Sequence, residues 1–196
     1  MSTLRQLSGL SERGTPLSES ALILIDCQNT YREGVMQLVG VEEALQEARK
    51  LLERARAAEA PIFHIQHDAG PGSPYDIQAE NGQIADVVAP QGDEPVIVKH
   101  FPNSFARTDL HEHLQACGRQ NLILAGFMSH MCVSSTARGA FDQGYRATVV
   151  DQATATRDLP DGNGGTLPAA AVHTASLAGI ADLVAAVVKS QDQIES

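Results

Sequence analysis

The chain has no tryptophan, and aromatic residues make up only 4% of its 196 positions. Its core must therefore be aliphatic, and 43% of the residues are hydrophobic. Basic residues are scarce: 14 Lys and Arg against 24 Asp and Glu leave a formal charge of −10, with no basic cluster to offset it locally. Nucleic acid and anionic membrane both need a basic surface, so neither is expected as a partner. Cysteine is limited to Cys27, Cys117 and Cys132, an odd number without a C-x-x-C pair. That reads as free thiols in a reducing compartment. No apolar run approaches the roughly 18 residues of a membrane span, and the polar stretch 1–20 lacks the apolar segment of a signal peptide. These absences predict a soluble, cytoplasmic protein. The length suits a single core over 21–196 behind an N-terminal extension, 1–20.

Short apolar runs alternate with longer helical patterns. Ala21–Asp26, Pro61–Gln66, Pro95–His100, Asn121–Phe127 and Arg146–Asp151 read as strands, and Leu183–Val188 as a sixth that would fit helix equally well. They are nearly continuous apolar runs, as expected of parallel strands covered on both faces. Between them, Val41–Ala60, Thr108–Cys117, Met131–Gln143 and Pro168–Leu177 carry helical periodicity, with Thr108 placed to cap the second. The alternation predicts an α/β fold, a doubly wound open parallel sheet. Two stretches, 68–81 and 159–167, read as long loops of the kind that form lids.

In such a sheet, ligands bind at the carboxyl ends of the strands. Asp26 ends the first strand, Lys99 the third, and Cys132 opens the helix after the fourth, so all three fall on that edge. Singly, each has a plain reading as a cap, a solvated strand end or a packing residue. Jointly they suit acyl transfer. A thiol of ordinary pKa is mostly protonated at neutral pH, and a helix N-terminus and a lysine both favour its thiolate. A carboxylate can take the thiol proton and return it to a leaving group, while N–H groups at the helix start can hold an oxyanion.

The runs D-C-Q-N-T-Y at Asp26–Tyr31, K-H-F-P-N-S-F at Lys99–Phe105 and G-F-M-S-H-M-C-V-S-S-T-A at Gly126–Ala137 together resemble the isochorismatase-like cysteine hydrolases, in order and over nearly the whole chain. The resemblance implies a six-stranded parallel sheet of order 3-2-1-4-5-6 with helices on both faces. It implies Cys132 as nucleophile, Asp26 as general acid/base and Lys99 as the cation that orients both. It also implies a cis Phe127–Met128 peptide, with the Met128 and Cys132 N–H groups as oxyanion hole. Pockets in this family are often completed by a neighbouring subunit, so a homo-oligomer, dimer or tetramer, is expected.

Gln28, Tyr31, His67, Asn103, Phe105, His130 and Met131 stand next to these motifs and are the candidate substrate-binding positions; core packing competes for Phe105 and Met131. Nicotinamidases of the family carry an Asp-x-His metal motif after strand two. Here that stretch is H-I-Q-H-D-A (His64–Ala69), so neither metal nor cofactor is expected. His111 and His113 sit two apart on a helix and point apart. G-N-G-G at Gly162–Gly165 lacks the Lys-Ser/Thr of a phosphate loop, and D-C-Q-N-T-Y is not a nucleotide-binding glycine turn. The expected activity is hydrolysis of a small amide, imide or carbamoyl-like C–N bond through a thioester. Enol-ether hydrolysis of the isochorismatase type is the alternative, and a non-catalytic small-molecule-binding module the third reading.

Overall fold

The apolar runs pair side by side in a computed structural model that describes Met1–Ser196. Strands β1 (Ser20–Ile25), β2 (Ile62–His67), β3 (Val96–Lys99), β4 (Asn121–Phe127) and β5 (Arg146–Ala155) are followed by the short β6 (Leu159–Pro160) and β7 (Thr166–Leu167) and by β8 (Ala185–Val188). Six of them form one parallel sheet in the order β3-β2-β1-β4-β5-β8. This is the expected 3-2-1-4-5-6 arrangement, with β8 as its sixth strand.

The helices are α1 (Leu4–Leu7), α2 (Val41–Ala57), α3 (Leu110–Ala116), α4 (Ser134–Asp142) and α5 (Ala169–Ala181). Alternation along β1 assigns them to faces. Leu22 and Leu24 share a core with Leu45, Leu51 and Leu52 of α2, whereas Ala21, Ile23 and Ile25 pack with Leu110 and Leu114 of α3, Ala137 and Ala140 of α4 and Ile180 of α5. Truncating one of these buried leucines to alanine costs about 2–5 kcal/mol. The same alternation separates the thiols: Cys27 lies in the α2 core and Cys132 in the other. No helix is long and apolar enough to cross a membrane.

Several boundaries differ from expectation. Asp109, not Thr108, holds the cap position of α3, without a side-chain bond; the Thr108 hydroxyl donates to the Ser104 carbonyl and accepts a long bond, 3.5 Å, from the Leu110 N–H. The helix after β4 begins regularly only at Ser134, because Ser129–Val133 forms a wider turn in which the Val133 N–H donates to the Met128 carbonyl. Strand β5 continues four residues past Asp151. The 159–167 stretch closes into an antiparallel hairpin of β6 and β7. The N-terminal extension is docked: Arg5 donates to the Leu183 carbonyl at 2.8 Å, and Leu17 is buried.

One glycine is obligatory. At Gly126, φ is +117°, and a Cβ there would lie 2.0 Å from the Ile25 carbonyl oxygen. Only glycine lets β4 approach β1 this closely one residue before Asp26.

Candidate active site

Strand order reverses between β1 and β4, and the ends of four adjacent strands deliver one residue each to this point. Lys99 closes β3, His67 closes β2 beside it in register, Asp26 follows β1, and Cys132 lies in the turn after β4. Asp26 has φ +50° and its carbonyl accepts from the Gln28 N–H at 2.8 Å, a tight turn that breaks the strand where its carboxylate is needed.

Lys99 is the hub. Its ammonium donates to Asp26 Oδ2 at 2.7 Å, His67 Nδ1 at 3.1 Å and Cys132 Sγ at 3.4 Å, which uses all three of its hydrogens. Asp26, Lys99 and Cys132 are 0%, 1% and 5% exposed. The second Asp26 oxygen, Oδ1, is buried without a hydrogen-bond partner. It is a free acceptor in a site where nearly every buried polar atom is satisfied.

The charges follow from burial. Desolvation raises the Asp26 carboxyl above the usual range, opposed by the Lys99 ammonium, and a raised carboxylate is a stronger base. Desolvation, with the Asp26 charge, pushes the Cys132 thiol up to about 12, against the pull of Lys99. The sequence suggested a thiolate favoured at rest; burial reverses this, and the resting sulfur keeps its proton. His67 is pushed down to about 4 by burial and by Lys99, so its ring is neutral and Nδ1 is free to accept. The set can therefore pass a proton from sulfur to carboxylate as the sulfur attacks, with the lysine holding both.

The Phe127–Met128 peptide is cis, as the resemblance implied. The Met128 N–H donates to no acceptor in the protein, and Met128 precedes Cys132 by one turn of chain. No cluster of His, Cys, Asp or Glu is arranged to hold a metal ion, and the nearest histidine nitrogen, His67 Nδ1, is already taken by Lys99.

The other expected positions divide. His67 is in the site, and Tyr31 lies under it, its ring 5.6 Å from that of Phe127. His130 and Met131 stand at the rim: Met131 is 40% exposed, and His130 Nδ1 is 2.6 Å from Thr156 Oγ1. Gln28 is wholly buried and clamps the end of β2, accepting from the His67 N–H and donating to the His67 carbonyl, both at 2.9 Å. Its amide is thus spent on backbone. Phe105 stacks on Tyr145, ring centroids 5.7 Å apart, and belongs to the packing of α3. Asn103 turns its side chain against Gly139 of α4 and accepts from the Phe105 N–H. These last two placements favour packing, because the chain after Lys99 folds down along the helices.

Two residues of the site escaped the sequence reading. Tyr75, in the 68–81 loop, sets its ring edge-on to His67 at 5.0 Å and to Tyr31 at 5.8 Å, so this loop packs against the histidine that accepts from Lys99. Arg157 follows the unforeseen extension of β5. Its Nε is buried without a partner, and its charge helps to lower His130. A lone tyrosine in a Gly-Pro loop gave no signal; an arginine after a strand would have, had the strand's end been placed correctly. A cavity of about 890 Å³ is bordered by Asn29 and Thr30, after β1, and by Ser73 and Asn81 of the 68–81 stretch, with none of the central residues in its wall.

Comparison with known proteins agrees with this geometry. The family model for the Isochorismatase domain matches residues 20–192. The chain is 36% identical over 193 residues to the secreted isochorismatase effector Isc1 of Verticillium dahliae, covering 98% of this chain and 99% of that one. It is 28% identical to the ureidoacrylate amidohydrolase RutB of Stutzerimonas stutzeri, covering 79% and 83%. The crystal structure of an isochorismatase from Pseudomonas putida KT2440 superposes with a TM-score of 0.94 at 40% identity, covering 99% of both chains. With the doubly wound sheet and its switch-point site in place, the chain belongs to the isochorismatase family and is a hydrolase.

Proposed function

We propose that this hydrolase cleaves a C–N bond of a small amide, imide or carbamoyl-like molecule, with Cys132 as nucleophile and a thioester intermediate. The single observation that carries the reading is the Lys99 ammonium, in contact with Asp26 and Cys132 at once. The Cys132 sulfur attacks the carbonyl carbon while its proton passes to Asp26. The Met128 and Cys132 N–H groups receive the oxyanion. Collapse expels the amine, which takes the proton from Asp26 and leaves a thioester. Water then attacks that thioester as Asp26 takes its proton, and the departing sulfur is reprotonated from Asp26. His67, His130 and Met131 line the substrate's approach, and the buried Tyr31 packs behind them.

A second reading, enol-ether hydrolysis of the isochorismatase type, is favoured by the names of the relatives at 36% and 40% identity. Enol ethers hydrolyse through protonation and need no sulfur. The test is a panel of small amides together with isochorismate, using wild type and Cys132→Ala. Trapping of an acyl adduct on Cys132 by mass spectrometry, with no turnover by Cys132→Ala, supports the amide reading. Isochorismate turnover that survives Cys132→Ala overturns it. The three free cysteines support a reducing, cytoplasmic location, checked by cell fractionation.

A further inference from the structure

Directly after Met128, the wholly buried Ser129 begins a second chain of polar contacts that the proposed chemistry does not use. Its Oγ is 3.0 Å from His173 Nδ1, on α5. His173 Nε2 is 2.8 Å from Asp151 Oδ1, on β5, and Asp151 Oδ2 accepts from Lys189 Nζ at 2.9 Å, just past β8. The direction of the bonds is set by chemistry. Asp151 as carboxylate can only accept, so His173 donates through Nε2; when the ring carries that one hydrogen, Nδ1 accepts and Ser129 donates its hydroxyl hydrogen.

The constellation has the makeup of a Ser-His-Asp triad, but Ser129 is closed to solvent and so has no route to a substrate. What it does touch is the chain that joins β4 to α4. Ser129 follows the unpartnered Met128 N–H and is the first residue of the wide turn that ends in Cys132 and Val133. A wide turn of this kind is an irregularity that recurs at functional sites, and a reacting group displaced by about 1 Å loses on the order of 100-fold in rate. The geometry points to Ser129, His173 and Asp151 as positioning residues that tie this turn to β5 and α5 and so fix the Met128 and Cys132 N–H groups for the oxyanion. This rests on the reading of Cys132 as an acyl-transfer nucleophile.

Two probes of the same sulfur test it. Acylation by p-nitrophenyl acetate passes through an oxyanion; alkylation by iodoacetamide does not. Wild type is first shown to acylate at Cys132. Ser129→Ala, which removes one oxygen atom, and His173→Ala are expected to slow acylation about 10- to 100-fold. Alkylation stays within about two-fold of wild type, because Asp26 and Lys99 are untouched. His173→Asn, which keeps an acceptor near the Nδ1 position, recovers part of the loss. Equal slowing of both reactions, or acylation at the wild-type rate in Ser129→Ala, overturns the positioning role. Wild type that alkylates at Cys132 but never acylates there overturns the nucleophile reading itself, and the positioning role with it.

Discussion

Replacing Asp26 by asparagine keeps the shape of the side chain and removes its charge, and the consequences for sulfur and for turnover run in opposite directions. In the native site the carboxylate and the thiol compete for the Lys99 ammonium, and the carboxylate, at 2.7 Å, wins. In Asp26→Asn the buried ammonium loses its counter-ion, and the nearest group able to replace it is Cys132 Sγ, 3.4 Å away. At that distance, unit charges attract by about 5 kcal/mol at an effective dielectric near 20, equivalent to about 3.6 pKa units as a ceiling. A thiol that starts at about 12 would then move towards the range of an ordinary cysteine, about 8.5. Iodoacetamide alkylation of Cys132 near neutral pH should rise by about 10- to 1,000-fold, with the buried Cys27 as an internal reference. Turnover should fall by about 100- to 10,000-fold, because no group remains to receive the proton and return it to the amine. Lys99→Met serves as the control: without the cation, alkylation should not rise. Alkylation unchanged or slowed in Asp26→Asn, with circular dichroism showing a folded protein, would refute the assignment of Lys99 as shared counter-ion.

Gly126→Ala should abolish folding or cost more than about 4 kcal/mol in urea unfolding, since its Cβ would meet the Ile25 carbonyl at 2.0 Å. Glu94 accepts two bonds from Arg56 and stands 2.9 Å from His64 Nε2, and these partners with the Gln91 N–H hold its carboxyl at about 2 despite opposing burial. A depressed carboxyl stabilises fully above its unfolded pKa. Its contribution, at most about 3 kcal/mol, should vanish between about pH 5 and pH 2, and Glu94→Gln should lack that loss in pH-dependent unfolding. Prolonged EDTA treatment should leave turnover unchanged, because His67 Nδ1 is committed to Lys99; loss restored by added metal would count against this. Light scattering of the purified protein should give a dimer or tetramer, as the proposal of a homo-oligomer requires.

How much was legible in the sequence depended on whether a signal was local. The inner strands of the sheet declared themselves because burial on both faces demands continuous apolar runs, and β1 is buried at all six positions; the edge strand β3 departs from this, with Val96 and Val98 exposed on one face. Helix and strand ends were less secure. Thr108 looks like a cap, yet its hydroxyl is drawn to the Ser104 carbonyl by the fold of the preceding loop. Strand β5 seemed to end at Asp151 because a charge interrupts the run. That carboxylate is in fact satisfied from outside the strand, by His173 and Lys189, and the ladder resumes at Gly126↔Thr154. A tertiary partner had cancelled a local stop signal.

The same distinction sorts the site. Asp26, Lys99 and Cys132 could be read because they stand at, or just beyond, strand ends on the edge where a doubly wound sheet leaves space, so position alone brought them together. Gln28, Asn103 and Phe105 stand as near to the motifs in sequence, but Gln28 is spent on the β2 backbone and the other two on packing around α3 and α4. Nothing in their spacing could tell a side chain that meets substrate from one that holds up its neighbour. The state of the sulfur was misjudged for a related reason. Helix start and lysine are both visible in a sequence, whereas desolvation, the largest influence on Cys132, depends on how tightly two faces of a sheet close. The lysine that was expected to activate the thiol instead neutralises the carboxylate. On the proposed mechanism, the thiol proton is therefore held on sulfur until a substrate carbonyl gives the electron pair somewhere to go.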